Sequence, residues 1–164
     1  MDNDQFLIQI ENVFFEAMLY GWASKNPEKI SIPEFPGMKG IVYESGQFRV
    51  VDGYFVTPYS DMSTGMTMIW HATVPVWVMY YGGWYDEEVI PFLKSCLNNA
   101  YEEHRFYGGR GPFLVRDQNL AYENSVDSNS FEDFVGEENI YDTEGQRHHR
   151  GFHWYKGMSL LKNI

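Results

Sequence analysis

Three histidines near the C-terminus are the first residues in this chain whose types invite chemistry. His148, His149 and His153 crowd one stretch, with Asp142 and Glu144 just before them and His71 as a further imidazole. Imidazoles and carboxylates together can hold Zn²⁺ or move protons. The spacing argues against a metal. No His-Glu-x-x-His and no Cys/His pattern is present. His148 and His149 are adjacent, so on an extended segment they point to opposite faces. The expectation is a polar loop, with no metal and no cofactor.

Nucleophiles offer less. Cys96 is the single cysteine and falls on the apolar stripe of a helix, where a thiol behaves as a small hydrophobe. A reactive thiol needs an electropositive, partly exposed place. No Gly-x-Ser-x-Gly occurs. Gly108-Gly109-Arg110-Gly111-Pro112 presents backbone N–H groups and one guanidinium, which suit a small anion. It lacks the lysine and the strand-to-helix context of a phosphate loop. Because it follows a helix, its glycines read first as a C-terminal cap. Arg110 can still pair with a carboxylate of a sheet.

Aromatic residues are the strongest candidates for a site. Trp70, Trp77, Tyr80, Tyr81, Trp84 and Tyr85 gather around one strand end, and Trp154 and Tyr155 mirror them. The candidate ligand-binding residues are Trp77, Tyr81, Trp84 and Arg110. They would face a cleft between a sheet and the Phe106–Pro112 loop. An aromatic floor with a guanidinium at the rim suits a planar, anionic ligand. The competing reading is that these rings pack the core.

The elements that must position them follow from periodicity. Phe6, Ile10, Val13 and Ala17 recur at helical spacing, which predicts a helix over about 4–24, ended by Asn26–Pro27. A second helix is expected over about 86–104, with Val89, Leu93, Cys96, Leu97 and Ala100 as its apolar stripe. Strands are expected at 40–44, 47–59, 66–71, 76–81, 120–127, 131–137 and 152–161. Gly82-Gly83 and Ser128-Asn129 read as turns, and 139–150 as a polar loop holding a short strand. The whole reads as one α+β domain over 1–164: a curved, mainly antiparallel sheet packed against two helices. Two stretches, about 54–83 and 120–158, share an order of strand, turn, strand, loop and aromatic strand. They form an internal repeat joined by the second helix.

Composition excludes several functions. The net charge is −11, with only 12 Lys and Arg among 164 residues. A nucleic-acid binder needs a basic stripe, and an anionic membrane repels such a chain. No apolar run approaches the length of a bilayer span. The N-terminal MDNDQ is acidic where a signal peptide needs positive charge. A cytoplasmic protein is expected, with no nucleic-acid or membrane partner; its oligomeric state is open.

The aromatic strand ending in YYGG, the PFLKSCL helix start, the FYGGRGP loop and the Phe134-x-Gly136-x-Glu138-x-Ile140 element resemble a bacterial family, the domain of unknown function 5680 type. In that family the domain occurs alone or behind a helix-turn-helix regulator. The resemblance covers roughly Tyr54 to Gly157 and departs at FHWYKGM, where a Tyr-rich strand closing on a double glycine is expected. It implies an association with regulation and no catalytic residues. The single N-terminal helix leaves no room for a helix-turn-helix before the domain. The function expected is non-catalytic binding of a small organic molecule or a protein segment. Two alternatives remain: an enzyme using the His-rich C-terminal junction, and an acidic inhibitor or immunity-type protein covering a basic partner.

Overall fold

The computed structural model describes residues 3–23, 29–33 and 35–161. Helix α1 (Asn3–Met18) passes into a wider, π-helical turn at Leu19–Ala23. Ile10, Val13, Phe14, Ala17 and Met18 are its buried face, at the three- and four-residue spacing that keeps side chains on one side of a helix. Ser24, Asn26 and Pro27, expected around the end of this helix, lie outside the described residues.

Five strands follow: β1 (Ile30–Ser31), β2 (Lys39–Ser45), β3 (Phe48–Thr57), β4 (Ser60–His71) and β5 (Val74–Tyr85). From β2 on, each pairs antiparallel with the one before it. A 3₁₀ turn at Glu87–Val89 leads into helix α2 (Ile90–Glu102). The chain then reappears at the far edge and walks back through β6 (Leu114–Asp117), β7 (Leu120–Ser130), β8 (Asp133–Asp142) and β9 (His149–Ser159). β9 closes on β5, giving one nine-stranded sheet in the order β1-β2-β3-β4-β5-β9-β8-β7-β6. The α+β class and the antiparallel sheet are as expected. No described helix is long and apolar enough to cross a membrane.

Strand alternation sorts the side chains. Trp77, Met79 and Tyr81 of β5 join Ile69, Phe134, Tyr122 and Tyr155 in a single core with α1 and α2. This is the inner face. Tyr80, Trp154 and Met158 fall on the outer face and are exposed.

Several boundaries differ from expectation. Gly82-Gly83 is no turn, since β5 continues to Tyr85 against β9. Gly83 is needed there because a Cβ would stand 1.9 Å from the Phe152 carbonyl oxygen, a close approach that only glycine tolerates. The β7–β8 turn sits at Phe131-Glu132. Ser128, with φ of 51°, marks instead an irregularity in the β7–β8 register. β8 extends into the stretch read as a loop, and the short edge strands β1 and β6 carry too little pattern to be read. Finally, the glycines after α2 do not cap it. His104 takes the left-handed position, φ 50°, and the Arg105 N–H donates to the Ala100 carbonyl at 3.0 Å.

Candidate functional site

Glu138 is an acid on an apolar face. It shares the inner side of β8 with Phe134 and Ile140 and is 0% exposed. An unpaired carboxylate at that depth would be costly. Arg110, on the Phe106–Pro112 loop, supplies the counter-charge. Its Nε donates to Glu138 Oε1 at 2.8 Å, and its Nη2 donates to the same oxygen. Tyr85 also donates to Oε1, and Tyr122 donates to Oε2 at 2.5 Å. Burial pushes the Glu138 carboxyl up, but the charge and hydrogen bonds of Arg110 more than offset it and hold it below the usual carboxylate range. Burial acts the other way on Arg110, and Glu138 outweighs it, so the guanidinium stays charged. Burial, then the negative charge of Glu138, raises Tyr85 and Tyr122 well above the usual phenol range. Both therefore remain donors.

The loop is fastened for this task. The Gly111 N–H donates to the Tyr122 hydroxyl at 2.9 Å, Asn124 Nδ2 donates to the Gly111 carbonyl at 2.7 Å, and the Gly108 N–H donates to Asn129 Oδ1 at 2.9 Å. These contacts press the loop onto the inner face of β7, β8 and β9.

A second polar group lies across the β5–β9 seam. Tyr81 and Tyr155 face one another in the pairing of these strands. The Tyr81 hydroxyl donates to Asp52 Oδ1 at 2.8 Å, and Thr67 Oγ1 donates to the same oxygen at 2.9 Å. The Tyr155 hydroxyl donates to Asn124 Oδ1 at 2.5 Å. Each ring lies over a glycine on the next strand. A Cβ on Gly65 would meet the Tyr81 ring at 2.7 Å, and one on Gly136 would meet the Tyr155 hydroxyl at 2.4 Å.

Between α2 and the inner face of β3, β4 and β5 there is a cavity of about 350 Å³, at the small end of the range for organic-ligand sites. Its apolar wall is Ile90, Leu93 and Leu97 of α2, with Val56 opposite. Tyr81, Tyr85, Arg110 and His153 reach it from the sheet and the loop, and Lys29 and Lys94 also line it. His153 is 4% exposed. Its Nε2 lies 3.2 Å from Ser63 Oγ, while Nδ1 is buried with no partner among the described residues. Burial, reinforced by the Arg110 charge, lowers His153 to about 3. The ring is neutral at physiological pH.

A family profile described as Domain of unknown function (DUF5680) matches residues 52–157. The chain belongs to this family. No curated protein and no solved structure matches the chain. The DUF5680 span includes β4, β5, α2, the Arg110 loop and β6 to β8, and so both polar groups; α1, β1, β2 and Lys29 lie outside it.

Within the DUF5680 domain the four residues expected to bind a ligand part company. Tyr81 and Arg110 line the cavity. Trp77 does not: it is 0% exposed, stacks on Phe131 at 4.8 Å and donates Nε1 to the Phe131 carbonyl at 2.9 Å. It is a core residue. Trp84 sits on the outer face in the same strand phase as Tyr80, with its edge to His149 at 5.3 Å. The cleft is covered by α2, where the Phe106–Pro112 loop was expected. Arg110 is no rim residue either, since it is buried against the sheet carboxylate it was able to pair with.

The histidines also disperse. His149 stacks on Tyr141, His71 packs against Phe6 and Phe48, and His153 faces inward. Among the described residues no group of three or more His, Cys, Asp or Glu could hold a metal ion. Asp52, Glu138 and His153 went unnoticed as a set. The available signal was phase: each is a polar residue at a strand position with a buried residue two places away, Val50, Ile140 and Tyr155 respectively.

Proposed function

We propose that this protein is a non-catalytic binding domain for a small organic molecule, held between α2 and the inner face of β3, β4 and β5. The observation that supports it is the cavity itself. One wall is apolar, and the other carries buried hydrogen-bonding groups whose protonation is fixed by the network beneath them. That combination gives affinity through burial and orientation through a few polar contacts. Catalysis is the weaker reading. Ser63 and His153 have the composition of a nucleophile and a base, but an imidazole held near 3 is too weak a base to take a serine proton at neutral pH. Cys96 is buried, and burial, then the charge of Glu138, pushes its thiol up to about 12. It is no nucleophile, and its inertness fits a cytoplasmic setting.

The same reading treats the two runs of strands as related halves. Asp52, Gly65, Thr67 and Tyr81 take the positions of Asn124, Gly136, Glu138 and Tyr155 in the pairing of their strands.

A thermal-shift screen against a metabolite library tests the function, because a ligand that binds only the folded state raises its melting temperature. The control is Val56→Trp, an exposed position whose enlargement narrows the cavity. Compounds that stabilise the wild type should lose their effect in this variant. Equal stabilisation of both proteins would place binding elsewhere, and a library without a single stabilising compound would remove the reading.

A further inference from the structure

The charge lining the cavity is opposite to that of the chain. The protein carries a net charge of −11, yet among the described residues no Asp or Glu lines the cavity, while Lys29, Lys94 and Arg110 do. Arg110 is neutralised by Glu138. The lysines are not neutralised in this way: neither makes an ion pair among the described residues. Lys29 donates instead to the Tyr54 hydroxyl at 2.7 Å and lies 5.3 Å from the centre of that ring. Both lysines are exposed, whereas Leu93 and Leu97 of the same cavity are buried. The site thus has a cationic mouth and an apolar interior.

We infer that the ligand of this cavity is an amphipathic carboxylate, with its apolar body under Leu93 and Leu97 and its anionic head at Lys29 and Lys94. The inference rests on the binding reading above and adds the chemical class. The two ammonium groups at the mouth are point charges that attract an anionic head without imposing a bidentate geometry on it. A phosphate would call for more donors, such as a bidentate guanidinium or a nest of backbone N–H groups, and the guanidinium here is engaged by Glu138. The charges described beneath the cavity are already engaged, Arg110 by Glu138 and Asp52 by the Tyr81 and Thr67 hydroxyls, so a second charge on the body would have to compete for a partner. His153 and Ser63 leave room for a neutral hydrogen-bonding group at the inner end, where Nδ1 has no partner among the described residues.

Two matched probe pairs test this by calorimetric titration: octanoate with 1-octanol, and indole-3-acetate with indole-3-acetamide. In at least one pair the acid should bind the full chain about tenfold or more tightly than its neutral partner, the gain expected from hydrogen bonds to a charged group. The double variant Lys29→Ala/Lys94→Ala removes only exposed side chains. It should weaken the acid by a similar factor and leave the neutral probe unchanged. Rising ionic strength should weaken the acid alone. Neutral probes binding as tightly as the acids, or acids indifferent to the double substitution, would overturn the carboxylate class while leaving the cavity a binding site. Failure of both acids to bind would also overturn it, and the library screen then decides independently whether the cavity binds anything.

Discussion

The two halves of the sheet solve the same packing problem differently. In the half from β6 to β9, the Phe106–Pro112 loop lies on the inner face and delivers Arg110 to Glu138. In the half from β2 to β5, Thr67 holds the position that Glu138 holds in the other. It bonds to Asp52 beside Tyr81, and no loop among the described residues descends on it. The space left over is the cavity. The ion pair is therefore not itself the candidate site. It is what fixes one half, so that Tyr85, His153 and the floor of the other half are held in one arrangement.

Breaking the ion pair should have the largest effect. Glu138→Gln keeps the shape but leaves Arg110 charged, buried and unpaired, which costs about 3–5 kcal/mol. In the other half, Asp52→Asn weakens an acceptor to which the Tyr81 and Thr67 hydroxyls donate, and about 1–2 kcal/mol is expected from these two bonds. Urea denaturation of both variants measures the contrast. Equal losses would mean that the halves are held by similar forces. The double change Arg110→Met with Glu138→Leu should recover much of the loss, because the unpaired charge is gone.

Acid should act next in size, and through His153. Its pKa falls from an ordinary 6.5 unfolded to about 3 folded. Between those values the unfolded chain holds a proton that the folded chain does not. Stability must then fall as pH drops through this window, at up to about 1.4 kcal/mol per pH unit. Glu138 adds to the loss from about the ordinary carboxylate value of 4.5 downward, until its own depressed folded pKa is passed. His153→Asn should flatten the dependence between pH 6 and 4, roughly the upper part of the window. A variant as acid-sensitive as the wild type would assign the effect to other groups.

Much of the fold was legible because it is written in local period. The apolar spacing of α1 and α2 follows from 3.6 residues per turn, and the alternating aromatics of β5 from a period of two. The glycines misled because their reason is not local. Gly82-Gly83 resembles a turn, but Gly83 serves the backbone of β9, a strand far away in sequence. The site was half legible. Tyr81 lines the cavity and Arg110 pairs with the sheet, but Trp77 and Trp84 were grouped with them by ring density alone. Phase would have separated them: Trp77 and Tyr81 share a face with the core, and Trp84 has the opposite parity. Glu138 and His153 were readable by the same rule, as polar residues in inward phase. What no local rule could supply was that α2, not the glycine loop, covers the cavity, because that depends on which edge of the sheet the chain crosses to.

The smallest expected effect tests the separation of the two faces. Trp84 is half-buried, and its ring contact is with His149, itself on the outer side. Replacing it with alanine removes partly solvated apolar surface and opens no closed cavity, so the cost should be about 1 kcal/mol or less. Trp77→Ala, one face away in the same strand, should cost about 3–5 kcal/mol as a core cavity. The more telling measurement is ligand response. Trp84 shares no wall with the cavity, so Trp84→Ala should shift the melting temperature slightly and leave the stabilisation by a bound acid intact. Loss of that stabilisation would mean that the outer face takes part in binding, and that the division between a packed half and a receptive half does not confine the site.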